Sequence, residues 1–274
     1  MNTSATDEPS EAVRDIPEGI KREVRRKCGF GCVICGLPIY HYDHKLGWAQ
    51  MRRHRADEIT LLCANHHEQK RKKLLPDERV EEADRHPFNR GQPSTSPSAM
   101  WFGGRAPPEI VMGNAVFTCD EDPRRPTVLV PLLVYGHVAF GFTIDTDGLL
   151  LNIDARDSSG RGILLVRDSE LLLSTGIWDA TFIGPKLRIW EQSGQLALSL
   201  TFQPPRRITI DQYHVHVLGG IIDIEPYRIK FMGGNLPNVI FEVPDGAYLT
   251  VAANVGMLLG EMPPGLAGPV IKVR

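Results

Sequence analysis

The feature that most constrains this chain is a pair of short ligand clips, Cys32-x2-Cys35 and Cys63-x2-His66, with Asp43-His44 lying between them. Two intervening residues let both side chains of a tight turn reach one tetrahedral ion, and two clips complete the four-coordinate shell of structural zinc. A single cysteine is usually a buried apolar thiol. Two spaced clips bracketing a charged loop point instead to one Zn²⁺ held by Cys32, Cys35, Cys63 and His66. Closed sites of this kind hold small folds together and do no chemistry.

His67 follows His66 directly, and successive helix residues point about 100° apart. The two imidazoles are therefore expected to serve different sites, His66 the zinc and His67 the Asp43-His44 pair. Asp43 with His67 makes a hard oxygen and nitrogen set suited to a catalytic divalent ion with open positions. His44 is then free to take a proton from water.

Taken together, the helix-like IPEGIKREVRRK, CVICG, YDH and ITLLCANHHEQK resemble an HNH endonuclease, a ββα-metal nuclease module, in its zinc-stapled form. The resemblance covers residues 16–76. It implies Asp43 and His67 as ligands of Mg²⁺ or another divalent cation, His44 as general base, and cleavage of DNA phosphodiesters that leaves a 5′ phosphate. It also implies weak sequence specificity, with RNA left open. One position departs from the family pattern: Glu58 stands where an asparagine usually braces the loop and the base. A carboxylate there orients the imidazole, adds a metal ligand or weakens the site. His54 in the intervening loop is a substitute brace or simply a solvated histidine.

Charge is distributed to match. The 274 residues carry a net charge of −2, yet residues 16–76 hold thirteen Lys and Arg against six Asp and Glu, a local +7 that leaves −9 for the remainder. A basic module on an acidic chain suits a polyanion partner. The expected phosphate contacts are Arg52, Arg53 and Arg55 in the loop and Lys70, Arg71, Lys72 and Lys73 at a helix end, with Lys21, Arg22, Arg25 and Arg26 along the first helix. Read alone, the Lys70–Lys73 run is a solvated helix terminus favoured by the macrodipole.

The N-terminus lacks the apolar core of a signal peptide and no run of eighteen apolar residues occurs, so a cytoplasmic protein is expected. Cys28 and Cys119 remain outside the clips, too few for a disulfide framework.

Along the chain, residues 1–15 read as disordered and 16–76 as a ββα-metal domain. This domain has a helix from Ile16 to Lys27, strands at Ile39–His44 and Ile59–Cys63, and a helix from Asn65 to Leu75. The Pro, Ser and Gly content of 77–108 marks a linker. From Glu109 onward, short Val/Ile/Leu/Phe/Thr runs alternate with turn signals about every ten residues. The expected fold is therefore α+β, the zinc-stapled module followed by an all-β domain, a two-sheet sandwich in preference to a β-solenoid.

His214 and His216 share a strand face without a third ligand, and Asp145, Asp147, Asp154 and Asp157 read as turn residues. With no catalytic set of its own, the β domain is expected to bind a partner protein, sense a ligand or self-associate, as a recognition part of an antiviral or mobile-element protein would. The competing reading of the N-terminal module is a zinc-stabilised nucleic-acid binder that does not cut.

Overall fold

The computed structural model describes residues 15–103, 107–113, 115–118, 127–134, 137–145, 148–217, 220–233 and the strand segments 239–242, 249–252, 256–259 and 270–272. Residues 1–14, Cys119 and Asp147 lie outside the described residues. The chain divides into two compact units, one holding Met1–Gly36 and Tyr40–Arg90, the other Leu37–Ile39 and Gly91–Arg274.

The first unit begins with α1 (Glu18–Lys27), which starts after Pro17 in extended conformation and carries Glu18 in its first turn and Arg25, Arg26 and Lys27 in its last. These charges complement the helix dipole. Val24 and Arg25 face inward. Arg25 is only 1% exposed. Its guanidinium donates to Tyr42 Oη at 2.7 Å and to Glu18 Oε1 at 2.6 Å. The expectation that Arg25 lies along a phosphate backbone is therefore corrected: it pins α1 to the following strand.

Next come β1 (His41–His44), the short helix α2 (Trp48–Met51), β2 (Ile59–Leu62) and α3 (Ala64–Arg71). β1 and β2 pair antiparallel with Asp43 opposite Thr60 and His44 opposite Ile59. All four residues of β2 are buried. This apolar strand is the floor of the unit, and it delivers Cys63 directly to the start of α3. The ββα order read from the sequence is thus present, with α2 occupying part of the expected loop.

The first part of the segment read as a linker, Asp77–Arg85, is a helix. α4 (Asp77–Arg85) buries Val80, Ala83 and Asp84. Asp84 receives Lys27 at 3.0 Å and Lys45, so the helix is tied to the unit by charge as well as by Val80. The boundary between units falls at Arg90 and Gly91.

The second unit contains β3 (Ser98–Ala99), β4 (Glu109–Met112), β5 (Ala115–Thr118), β6 (Thr127–Val134), β7 (His137–Asp145), β8 (Gly148–Arg156), β9 (Gly162–Arg167) and β10 (Glu170–Leu173). It continues with β11 (Asp179–Ile183), β12 (Lys186–Gln192), β13 (Gln195–Gln203), β14 (Arg207–Val217), β15 (Gly220–Glu225), β16 (Arg228–Met232) and β17 (Val239–Glu242). Last come β18 (Leu249–Ala252), β19 (Gly256–Leu259) and β20 (Val270–Lys272). One sheet runs β20-β19-β6-β7-β8-β9-β10-β3; the other runs β11 to β17 in sequence order, with β4 added beside β14, β5 beside β4 and β18 beside β5.

Most neighbours are antiparallel hairpins, while β4 joins β14 in parallel. Both sheets are open. Strict alternation of burial along β8 and β15 gives each sheet one solvated face. The buried faces meet where the Phe140 ring stands edge-on to Tyr213, centroids 5.2 Å apart, and Tyr213 Oη accepts a hydrogen bond from Arg156 N at 3.1 Å. This is the two-sheet arrangement expected in preference to a solenoid.

Candidate functional site

Among the described residues one group of convergent ligand atoms occurs, Cys32, Cys35, Cys63 and His66, all within 4.8 Å of one another. His66 Nδ1 lies 3.4 Å from Cys32 Sγ and 3.3 Å from Cys63 Sγ, and Cys35 Sγ lies 3.7 Å from Cys63 Sγ. Zinc–sulfur bonds of about 2.3 Å in a tetrahedron place sulfurs about 3.8 Å apart. The spacing therefore suits a closed Cys3His site consistent with structural Zn²⁺. Burial keeps the His66 imidazole below the usual histidine range, which favours the neutral form that a ligand must have.

Several backbone contacts hold the first clip in place. Gly36 N donates to Cys32 O at 2.8 Å, closing the turn, and Val33 N donates to Leu61 O at 3.0 Å, tying the turn to β2. A Cβ on Gly31 would sit 2.5 Å from Gly36 O, so only glycine permits that approach. Asn89, which is buried, donates Nδ2 to Gly29 O at 2.9 Å and to Gly36 O at 3.0 Å, stapling both ends of the clip. Nothing in the spacing of the sequence pointed to Asn89.

Cys28 stays outside the cluster. Its thiol, pushed up to about 11 chiefly by burial, lies between Thr60 and Asp84 at 3.9 and 4.0 Å. It is a buried core thiol.

The second constellation sits at the end of β1 and the first turn of α3. Asp43 Oδ1 is 3.6 Å from His67 Nε2. His66 and His67 point to different neighbours, as consecutive helix positions must. Asp43 Oδ2 is taken by Lys70 Nζ, which also donates to Lys45 O at 2.9 Å and His44 O at 3.3 Å. Asp43, His44, Lys45, His67, Lys70, Arg71 and Lys73 border an open cleft of about 270 Å³.

His44 is half-buried beside Asp43. Burial first, and the neighbouring His54 second, lower its pKa against the opposing pull of Asp43 and Glu58. His44 Nε2 meets His54 Nδ1 at 3.2 Å. The Glu58 carboxylate takes Arg53 Nε at 3.1 Å and a second guanidinium contact from the same residue.

No family model, curated protein or solved structure matches this chain. The site is read from its own geometry.

The basic residues divide into two groups. Lys70 is buried and faces Asp43. Arg53, Arg55, Arg71, Lys72 and Lys73 are exposed and carry local acidic partners: Glu58 for Arg53, Asp57 for Arg55, Glu68 for Arg71 and Lys72, and Asp77 for Lys73 at 3.5 Å. Exposed pairs of this sort are screened by solvent and contribute little to stability. Arg52 is exposed in left-handed backbone, φ 43°, at the end of α2.

In the second unit, His214 Nδ1 faces Asp223 Oδ1 at 3.5 Å and the His214 and His216 ring centroids lie 5.4 Å apart, but among the described residues they form no convergent group of three ligand atoms. Asp157 closes its turn by accepting from Ser159 N at 2.9 Å and Arg161 N at 3.0 Å, the role expected of it. Asp154 pairs with Arg156 at 2.9 Å.

Proposed function

We propose that the first unit is a divalent-metal-dependent endonuclease of the HNH type that hydrolyses DNA phosphodiesters with weak sequence specificity. The observation that carries this reading is the placement of Asp43 Oδ1 and His67 Nε2 3.6 Å apart, with His44 next to Asp43 on the same strand and the pair opening on a cleft. Cis ligands of an octahedral ion with bonds of about 2.1 Å stand about 3.0 Å apart, so the pair would close by roughly 0.6 Å to share one. Oδ1 is the oxygen turned to His67, because Oδ2 is held by Lys70. Oxygen and imidazole ligands fit Mg²⁺, Mn²⁺ or a similar ion.

A divalent ion bound there supplies Lewis-acid stabilisation of the leaving 3′ oxygen and of the charge on phosphorus. The chain supplies the rest. His44 takes a proton from a water molecule as the water oxygen bonds to phosphorus. The P–O3′ bond breaks, leaving a 5′ phosphate and a 3′ oxygen that takes a proton from solvent. Depression of the His44 pKa keeps the base neutral near pH 7. The Cys3His cluster, with zinc as its ion, fixes the start of α3 and so the position of His67. The exposed arginines and lysines exchange their carboxylate partners for DNA phosphates, contacts that carry no base information.

The test is plasmid nicking in Mg²⁺ or Mn²⁺ by wild type and by His44→Ala, with zinc content and circular dichroism as controls. Loss of nicking by the variant, at least about 10³-fold and with both controls unchanged, is expected. Undiminished cutting by His44→Ala removes the mechanism.

A second reading has its own observation: Lys70 already sets a cation on Asp43. A module in which that ion pair is permanent would bind nucleic acid through its basic face and cut nothing. A metal-independent gel shift without cleavage in Mg²⁺, Mn²⁺ or Ni²⁺ would select it.

A further inference from the structure

The aromatic cluster beside the proposed base assigns a task to a residue the reaction scheme leaves out. His44 Nε2 and His54 Nδ1 are 3.2 Å apart, the sole hydrogen bond to the His44 ring among the described residues. His54 in turn stacks on Trp48, centroids 4.7 Å apart and planes inclined by 17°, and Trp48 also lies 5.2 Å from the His44 ring. Trp48 and His54 are both half-buried, and the loop that carries them is anchored at both ends. Gly47 N donates to His44 O at 2.8 Å, and Lys45 N donates to Glu58 O at 2.9 Å. The Glu58 carboxylate is occupied by Arg53.

We propose that His54 is the positioning residue for His44, holding its ring plane and fixing the proton on Nε2 so that the lone pair is left on Nδ1. The inference rests on the nuclease reading above. Two neutral imidazoles in nitrogen-to-nitrogen contact share one proton, so one ring donates and the other accepts. If His44 donates from Nε2, its Nδ1 is a base; if His54 donates, Nδ1 of His44 carries the proton and is no base. Only the first arrangement serves catalysis.

The proton balance is simple. Neutral His44 holds its hydrogen on Nε2 and neutral His54 holds its own on Nε2. When His44 Nδ1 takes the proton of water, the Nε2–H stays where it is. Its bond to His54 Nδ1 becomes charge-assisted, roughly twice as strong as before. His54 therefore stabilises the imidazolium that forms in the transition state and not the resting imidazole. Trp48 limits the rotation of His54, so the acceptor is in place before the proton arrives.

Two nitrogens at this distance would also suit a shared ion. Among the described residues, however, no third ligand atom converges on them, which favours the single-proton bridge.

The experiment pairs a spectroscopic readout with a kinetic one on the 274-residue chain loaded with zinc. With ¹⁵N-labelled histidine, scalar coupling across the hydrogen bond between His44 Nε2 and His54 Nδ1 is expected, with the proton assigned to the His44 side. His54→Ala is expected to remove the coupling and lower kcat for plasmid nicking about 10–100-fold with KM unchanged. His54→Gln, whose amide oxygen can accept from Nε2, is expected to recover most of that loss.

A wild type that cuts without the coupling, a proton found on the His54 side, or full-rate cutting by His54→Ala overturns the role of His54 alone. A wild type that shows the coupling and cuts nothing overturns the nuclease reading, and with it the catalytic purpose of the pair.

Discussion

At the scale of single residues, the site is set by which polar atoms are already occupied. Asp43 has one oxygen on Lys70 and the other toward His67. Lys70, a buried cation, holds the carboxylate in one rotamer and leaves Oδ1 toward His67, where the proposed ion would bind. Lys70→Met, of similar reach without charge, should free Oδ2. Divalent-ion affinity measured by calorimetry is then expected to rise several-fold while the start of α3 stays intact, because a full positive charge no longer opposes the ion. Unchanged affinity would mean that the pair is incidental.

The same scale gives a pH dependence. Burial and His54 lower the His44 pKa, and the proposed base would act in its neutral form. Cleavage should therefore be flat at neutral pH and lost only on acidification through a value below the ordinary histidine pKa of about 6.5. A pH–rate profile whose acid limb sits above that value would contradict it.

Asp84 gives a stability prediction. Burial alone would raise its carboxyl, but donors from Lys45, Thr60 and Lys27 outweigh burial and hold it below the usual carboxylate range. A depressed carboxylate contributes stability that is present above the unfolded value, about 3.9, and lost as pH falls through the folded value. The difference in urea midpoint between wild type and Asp84→Asn should be constant above about pH 5 and shrink below about pH 4. A difference that stays constant from pH 5 down to pH 3 would rule this out.

At the scale of elements, the ligand clips work because secondary structure brings them together. β2 ends at Leu62, Cys63 begins α3 and His66 falls one turn later, so one strand and one helix carry half of the site. The other half is a turn closed by Gly36 and stapled by Asn89. Removing that staple exposes two carbonyls to an empty pocket. Asn89→Ala should cost roughly 1–3 kcal/mol in chemical denaturation and speed zinc loss to a chelator. A variant with normal stability would show the staple to be redundant.

This is also where the limit of sequence reading lies. The clips, the β1/β2/α3 order and the separation of His66 from His67 were legible, because tetrahedral spacing and helical rotation are local rules. Asn89 was not, since its partners Gly29 and Gly36 are more than fifty residues away. α4 was hidden by flanking prolines and a surface dominated by charge, although Val80 and Ala83 are a buried pair at helical spacing. Arg25 and Lys70 look like neighbouring solvent-facing bases in the sequence. Only the folded chain shows Tyr42 and Asp43 waiting for them.

At the scale of the whole molecule, the two units differ in what can hold them together. The first has a short list of buried apolar anchors, among them Val24, Val33, Ile59, Leu61, Leu62 and Val80. A core that small supplies only about 3–5 kcal/mol, so a zinc ion in the Cys3His cluster would provide much of the unit's stability. The second unit buries Leu129, Phe140, Phe142, Leu151, Ile189, Leu198, Tyr213, Val215 and Phe231 in a two-sheet core that uses no metal ligand among its described residues. The units should consequently melt apart. Calorimetry of the zinc-loaded protein is expected to show two transitions, and a strong chelator should abolish the one belonging to the first unit while leaving the other in place. Cys63→Ser, which removes a ligand and leaves the second unit untouched, should reproduce the chelated trace without chelator. A single transition that moves as a whole on metal removal would mean that the two cores fold as one cooperative body, and the metal would then stabilise the β sheets as much as the site.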